Sequence, residues 1–361
     1  MKKMISDLFS DPLLLYNKML DDIESAKKYV YLETYIYDDD AMGEKFRDAL
    51  TKKCKQGVKV KLLIDSWGAS VNRPFFQEFE TAGGELRFFR KLRFEPRFFV
   101  NNHKRDHRKI LLVDDEILFV GSSNITLDNI NWRELTLRLN GTGSPISLFK
   151  KAFLENFEIH KPYLSDFKLK NMKKQIKVLS KDGFEVIRDI PSRRWLKIRD
   201  KYYRMIRDAK ESVIIEMAYF IPDLKLRRAM KKAVKKGVEI KVILPLISDV
   251  RFADIMRNMY LGWLHRKGIK IYYYQPRVLH SKVIISDNTC FIGSCNLDYW
   301  SLVHLYEIGL VTSDKHIISQ IKAHVKESLE DSKPFDYVEW KNRPLIQKII
   351  EKTLKPFRKL I

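Results

Sequence analysis

The sequence predicts an α/β protein built from two copies of one βαβ-type unit. Three observations carry this. Strand-like runs alternate with amphipathic helices, which argues for an α/β sandwich with a mixed sheet. Four landmarks recur in the same order in both halves of the 361-residue chain. Their separations, 180 residues from Gly57 to Gly237, 184 from Gly84 to Gly268 and 173 from His107 to His280, drift little.

The first landmark is SAKKYVYLETYIY from Ser25, matched by DAKESVIIEMAYF from Asp208. Each reads as a helix end followed by a strand rich in Val, Ile and Tyr. The second is FRDALTKKCKQGVKVKLLI, matched by LRRAMKKAVKKGVEIKVIL. A basic amphipathic helix stops at Gly57 or Gly237 and passes into an alternating strand, as a glycine cap predicts. The third is Ala82-Gly83-Gly84, matched by Lys267-Gly268, each leading into a short aromatic strand. The last is HRKILLVDDEILFVGSSN from His107, matched by HSKVIISDNTCFIGSCN from His280. The join falls near the basic stretch at about residues 168–179. This gives a first half over 1–167, a second over 168–332 and a basic amphipathic tail over 333–361. Two copies of one unit suit a pseudo-twofold arrangement with the two His/Lys pairs face to face.

The bulk figures bound the function. The chain carries 68 Lys and Arg against 46 Asp and Glu, a formal charge of +22, which points toward polyanions: nucleic acid, an anionic membrane surface or phosphorylated substrates. Hydrophobic residues make up 45% and charged residues 32%, the balance of a globular chain and not a disordered one. Cys54, Cys290 and Cys295 follow no zinc spacing; the last two, in or beside an apolar run, read as buried free thiols, and the absence of a disulfide framework favours a reducing compartment. No run approaches the roughly 20 apolar residues of a membrane span. The N-terminal stretch is broken by Asp11 and Pro12 and does not read as a secretory signal. A soluble or peripheral protein on the cytoplasmic side is expected.

Side chains alternate faces along a strand, so His107 and Lys109 point the same way, as do His280 and Lys282. Asp114 and Asp287 lie seven positions after their histidines and would face away. Each begins a polar turn, where bracing the hairpin or pairing with a cation is expected. Beyond the hairpins, Gly121-Ser122-Ser123-Asn124 and Gly293-Ser294-Cys295-Asn296 offer amide and hydroxyl donors that suit an anion. Glu134 and Glu307 each follow their histidine by 27 residues. A carboxylate that accepts an imidazole Nδ1 proton leaves Nε2 to attack or to shuttle a proton. Each copy thus offers a histidine, an orienting glutamate, a lysine and an asparagine. Two copies make a phosphodiester-transfer set: one histidine attacks phosphorus, the other protonates the leaving alcohol, and Lys and Asn stabilise the oxygens.

These two segments resemble the HKD motif of the phospholipase D superfamily, H-x-K-x4-D followed by G-S/G-x-N, and both copies match at every position. LETYIYDDDAMGEKF, GVKVKLLIDSWGA, GSCNLDYWSLVHLYEIGL and the region around Trp340 to Leu360 extend the resemblance to bacterial cardiolipin synthases over nearly the whole chain. The resemblance implies a duplicated phospholipase D-like α-β-α sandwich whose pseudo-twofold-related halves share one active site. It carries over His107, Lys109, Asp114, His280, Lys282 and Asp287 as active-site positions. It also implies a phosphatidyl-histidine intermediate, with phosphatidylglycerol as donor, a second lipid hydroxyl as acceptor and glycerol released. His107 as nucleophile and His280 as acid then base follow by analogy, and pseudo-symmetry allows the reverse. Neither metal nor cofactor is expected, since the lysines supply positive charge.

Many members of that family carry two N-terminal membrane-spanning helices, and this sequence shows no such stretch. Contact with anionic phospholipid (phosphatidylglycerol, cardiolipin) at the cell membrane is therefore expected elsewhere. One candidate is the basic, phenylalanine-rich stretch 85–106. The other is the tail, where Leu345, Ile349, Leu354, Phe357 and Ile361 recur at helical spacing. Hydrolysis by a phospholipase D or nuclease remains an alternative, as does an inactive basic binding protein. No obligatory nucleic acid is expected.

Overall fold

A computed structural model describes residues 4–90, 102–159, 178–192 and 196–356. The first sheet runs, from one edge, Ile5–Phe9, Thr136–Asn140, Ile117–Gly121, Ile110–Val113, Tyr29–Thr34, Lys59–Asp65 and Glu85–Phe89. Its last three strands are parallel, and those from Ile5 to Val113 are joined antiparallel. The second sheet repeats this order with Phe184–Asp189, Leu305–Thr312, Thr289–Gly293, Lys282–Ser286, Ser212–Met217, Glu239–Pro245 and Lys270–Tyr274. Val178–Lys181 and Ser332–Pro334 extend its two edges. Mixed sheets with the same strand order make the duplication a property of the fold as well as of the sequence.

The elements end where local chemistry ends them. Asp11 and Asp40 cap the helices Pro12–Glu24 and Ala41–Lys55 by accepting from the first free amides. Gly57 and Gly237 take φ of 82° and 91° after their helices, a conformation that side chains with a Cβ resist.

Three apolar clusters follow. One lies between the first sheet and its outer helices, through Leu15, Phe46, Leu62 and Phe119. Another lies behind the second sheet, through Ile206, Met230, Val242 and Leu261. The third joins the halves: Ile110, Leu137 and Phe153 share it with Val186, Ile285, Ile308 and Ile321. Each such buried side chain contributes about 1.5–3 kcal/mol, so the halves are held by an extended common core.

The C-terminal segment is partly built into the second half. Ser332–Pro334 pairs with Tyr272–Tyr274, and Trp340 Nε1 donates to Asn258 O at 3.1 Å on the helix Arg251–His265. The stretch 85–106 is likewise not all loop. Glu85–Phe89 forms the sheet edge, and Asn102, Arg105 and Asp106 are buried. Residues 91–101, Phe357 and Ile361 lie outside the described residues. Among the described residues, no helix is long and apolar enough to cross a membrane.

Candidate active site

Each motif strand enters from a point pinned to the opposite half. Arg105 and Asp106 pair in parallel with Leu305 and Tyr306, and His107 N donates to Tyr306 O at 3.0 Å. In the mirror arrangement, Arg133 bridges Leu279, and His280 N donates to Arg133 O at 2.8 Å. The acceptor residue in both cases is the one just before a glutamate. That register brings each glutamate to the other half's histidine: His107 Nδ1 lies 2.9 Å from Glu307 Oε1, and His280 Nδ1 lies 2.8 Å from Glu134 Oε1.

Two equal spacings of 27 residues do not say which glutamate serves which histidine; the tertiary structure crosses them. The second carboxylate oxygen is held at home. Ser122 Oγ donates to Glu134, and Ser294 Oγ donates to Glu307. Ser122 and Ser294, which the sequence offers as anion donors, are therefore spent on fixing the glutamates. Asn124 Oδ1 accepts from Ile36 N at 3.2 Å, while Asn296 Oδ1 is buried without a hydrogen-bond partner among the described residues.

Lys109 Nζ donates to the His107 carbonyl at 2.7 Å, and Lys282 Nζ to the His280 carbonyl at 2.6 Å. Both ammoniums are buried. Desolvation is the main cause that pushes Lys109 down to about 7 and Lys282 to about 8, partly offset by Glu307 and Glu134. The imidazoles are buried too, at 8% and 5% exposed. Burial pushes His107 well below the usual histidine range, and Lys109, Lys282 and His280 push it further. Burial also lowers His280, but Glu134 and Asp249 work against that. The glutamates diverge as well. Burial raises Glu307 well above the carboxylate range, whereas Glu134 sits below it because the His280 charge and hydrogen bond outweigh its burial.

Asp114 and Asp287 brace instead of facing this centre. Each sits at the hairpin tip with φ near 50°. Asp114 accepts from the amides of Lys27, Lys28 and Tyr29 at 3.1, 2.8 and 2.8 Å. Asp287 accepts from Lys210, Glu211 and Ser212 at 2.8, 3.0 and 2.9 Å. Their carboxylates tie the motif hairpin to the start of the neighbouring antiparallel strand, Tyr29–Thr34 or Ser212–Met217. Among the described residues, no cluster of three or more His, Cys, Asp or Glu could hold a metal.

A family model described as "Cardiolipin synthase, PLD-like domain" matches residues 19–158 and 202–329. The chain belongs to this family. It is 28% identical over 362 residues to the major cardiolipin synthase ClsA of Bacillus subtilis, covering 97% of this chain and 74% of that protein. It is 31% identical over 353 residues to cardiolipin synthase 1 of Staphylococcus epidermidis, covering 96% and 72%. The fold matches phosphatidylserine synthase of Haemophilus influenzae with a TM-score of 0.77 at 12% identity, over 98% of this chain and 94% of that one. It also matches polyphosphate kinase of Porphyromonas gingivalis, with a TM-score of 0.62 at 14% identity over 99% and 53%.

In this member of the cardiolipin synthase family the two histidines are also flanked by residues that the spacing of motifs does not flag. Tyr35 meets His107 edge-on with ring centroids 5.1 Å apart, and Trp132 meets His280 in the same way at 5.1 Å. Their signal is faint: an aromatic just past a strand, or two residues before the glutamate. Beneath the motifs lie two polar clusters. Asn156 Nδ2 donates to Glu33 at 2.7 Å and to Asp106 at 2.8 Å. Glu216 accepts from Ser281 Oγ and lies 2.7 Å from His324 Nε2. Glu33 and Glu216 occupy matching positions in LETY and IEMA, a repeat visible in the sequence. His324, by contrast, gains its constellation only in the fold, where Arg133 of the first half also reaches it.

Proposed function

We propose that the protein transfers a phosphatidyl group from phosphatidylglycerol to the hydroxyl of a second phospholipid, releasing glycerol. The crossed pairing of two buried His–Glu dyads, each beside a buried lysine, carries this reading. Glu307 fixes the Nδ1 proton of His107, directing the Nε2 lone pair at phosphorus. As the P–N bond forms, the P–O bond to glycerol breaks, and His280 delivers a proton to the departing oxygen. His280, now neutral, takes the proton from the incoming lipid hydroxyl. That oxygen attacks phosphorus and the P–N bond breaks, restoring His107. Lys109 and Lys282, when protonated, supply positive charge for the phosphoryl oxygens in a site of low dielectric.

The division of roles follows the charges. The site disfavours a positive His107 strongly, as a nucleophile requires. His280 is lowered less because Glu134 and Asp249 oppose burial and Lys282, which makes it the better placed of the two to carry the proton of an acid. The depth of both imidazoles supports a lipid hydroxyl over water as acceptor. The enzyme works peripherally, on the cytoplasmic face of the cell membrane, with phosphatidylglycerol and cardiolipin as its lipid partners.

The test is incubation of the purified chain with phosphatidylglycerol vesicles, with lipids read by mass spectrometry. Cardiolipin and glycerol in equal amounts are expected. Phosphatidic acid alone would make the protein a hydrolase, and cleavage of nucleic acid without lipid turnover would overturn the reading.

A further inference from the structure

The helix Leu345–Leu354 lies against Arg251–His265 and closes a cavity of about 410 Å³ with it. No motif residue lines this cavity. Its walls include Tyr260, Trp263 and Trp340. The acid present, Glu351, is buried and already answered, since Arg343 Nη2 and Nε bond its two oxygens at 2.6 and 3.0 Å. The remaining cations have no such answer. Lys348, Lys352 and Lys355 pair with no carboxylate among the described residues. Arg227 lays its guanidinium 4.7 Å from the Tyr260 ring centre, and its buried Nε has no hydrogen-bond partner among the described residues.

The outer face of the same helix is aliphatic. Leu345, Ile346, Ile349 and Ile350 are 72%, 64%, 50% and 42% exposed. They fall at i, i+1, i+4 and i+5, which makes one continuous ridge. The helix is nevertheless firmly seated, by Leu354 packed on the second-half core and by the Arg343–Glu351 pair. An aliphatic ridge on a helix with lysines along its flank is the composition of an interfacial helix.

We propose that this cavity and ridge form a docking site for anionic phospholipid, separate from the catalytic centre. A headgroup phosphate of the bilayer enters the basic, aromatic-walled cavity, and the four aliphatic side chains enter the acyl boundary. The inference rests on the functional reading that the enzyme works at a lipid surface, and adds where that surface is held. Charge complementarity selects an anionic bilayer, and the ridge separates it from nucleic acid, which stacks on exposed rings and has no use for branched aliphatics.

The test uses the full chain, with flotation on phosphatidylcholine vesicles containing or lacking phosphatidylglycerol. Turnover is measured in parallel on those vesicles and on a short-chain, monomeric phosphatidylglycerol. Lys348→Glu with Lys352→Glu should weaken binding to the anionic vesicles at least tenfold and lower vesicle turnover in step. Turnover of the monomeric lipid should stay at the wild-type level, which also shows that the variant is folded. Ile346→Ser with Ile349→Ser should weaken vesicle binding without altering charge.

Unchanged vesicle binding in both double variants overturns the docking site and leaves the functional reading intact. So does full displacement from vesicles by millimolar inorganic phosphate, which would make this a free-phosphate site. Loss of single-stranded DNA binding alone, or of a concentration-dependent dimer alone, would assign the surface to those partners instead. A wild-type chain that floats with anionic vesicles and turns over neither lipid fails the functional reading and supports the docking site.

Discussion

In one half of the site Ser294 steadies Glu307, which holds His107; in the other Ser122 steadies Glu134, which holds His280. Bond for bond the two arrangements match, with His–Glu separations of 2.9 and 2.8 Å. The surroundings do not match. Burial and neighbouring lysine charge lower both imidazoles. Two lysines and a second imidazole bear on His107, whereas on His280 Glu134 and Asp249 oppose burial and Lys282, so His280 falls less. A duplicated frame supplies two like imidazoles, and on the proposed reading the unduplicated charges around them divide the work. Two-step transfer through a covalent intermediate needs that inequality, because nucleophile and acid must differ in protonation at one pH.

The strongest way to break this comparison is to remove each histidine. His107→Ala and His280→Ala should each lower cardiolipin formation at least ~10³-fold. A phosphatidyl donor with a nitrophenol leaving group needs no acid, so it separates the two. With it, His280→Ala should still accumulate a covalent lipid adduct by mass spectrometry, and His107→Ala should not. The reverse pattern would exchange the roles.

Next in size are the glutamates, where Glu134→Gln and Glu307→Gln should each cost about 10²–10³-fold. Glu134 raises His280, so its neutral replacement lowers the pKa of the acid. The alkaline limb of kcat/KM should therefore move to lower pH in Glu134→Gln and stay in place in Glu307→Gln. If each glutamate served the histidine of its own half, that shift would follow Glu307→Gln.

Lys109 sharpens the comparison through stability. Its folded pKa of about 7 lies below the ordinary 10.5, so the native state binds fewer protons than the unfolded state between those values. The cost of burying the charge is fully present below pH 7 and fades as pH rises toward 10.5. Lys109→Met should be inactive yet more stable than wild type, by about 2–4 kcal/mol at pH 6 after losing one hydrogen bond. The gain in melting temperature should shrink as pH is raised to 10.

Smallest in turnover are the aspartates. Asp114→Ala and Asp287→Ala strip an acceptor from three amides each, and should cost about 1–3 kcal/mol of stability by denaturant unfolding. Turnover per folded molecule should fall less than about tenfold, since they position the hairpin and do not touch substrate.

Much of this was legible in the chain alone. The repeat of HRKILLVDDEILFVGSSN in HSKVIISDNTCFIGSCN announced two matching units. Strand alternation put His107 with Lys109 and His280 with Lys282 on one face, and turned Asp114 and Asp287 away. Gly57 and Gly237 marked helix ends because a positive φ excludes most other residues. Local periodicity and turn chemistry act over a few residues, so they can be read from a few residues.

What the sequence could not assign was partnership across the halves. Glu134 and Glu307 stand equally far along the chain from their own histidines, and the parallel pairings of Arg105–Asp106 with Leu305–Tyr306 and of Arg133 with Leu279 cross them over. Ser122 and Ser294 read as anion donors until the fold placed a glutamate against each. His324 finds Glu216 and Arg133 only because the fold brings them from distant segments. Hydrogen bonds and desolvation depend on distances through space between residues up to two hundred apart in the chain. The sequence by itself determined which groups the site contains; the tertiary structure alone decided which of them face each other, and hence which histidine is the easier to charge.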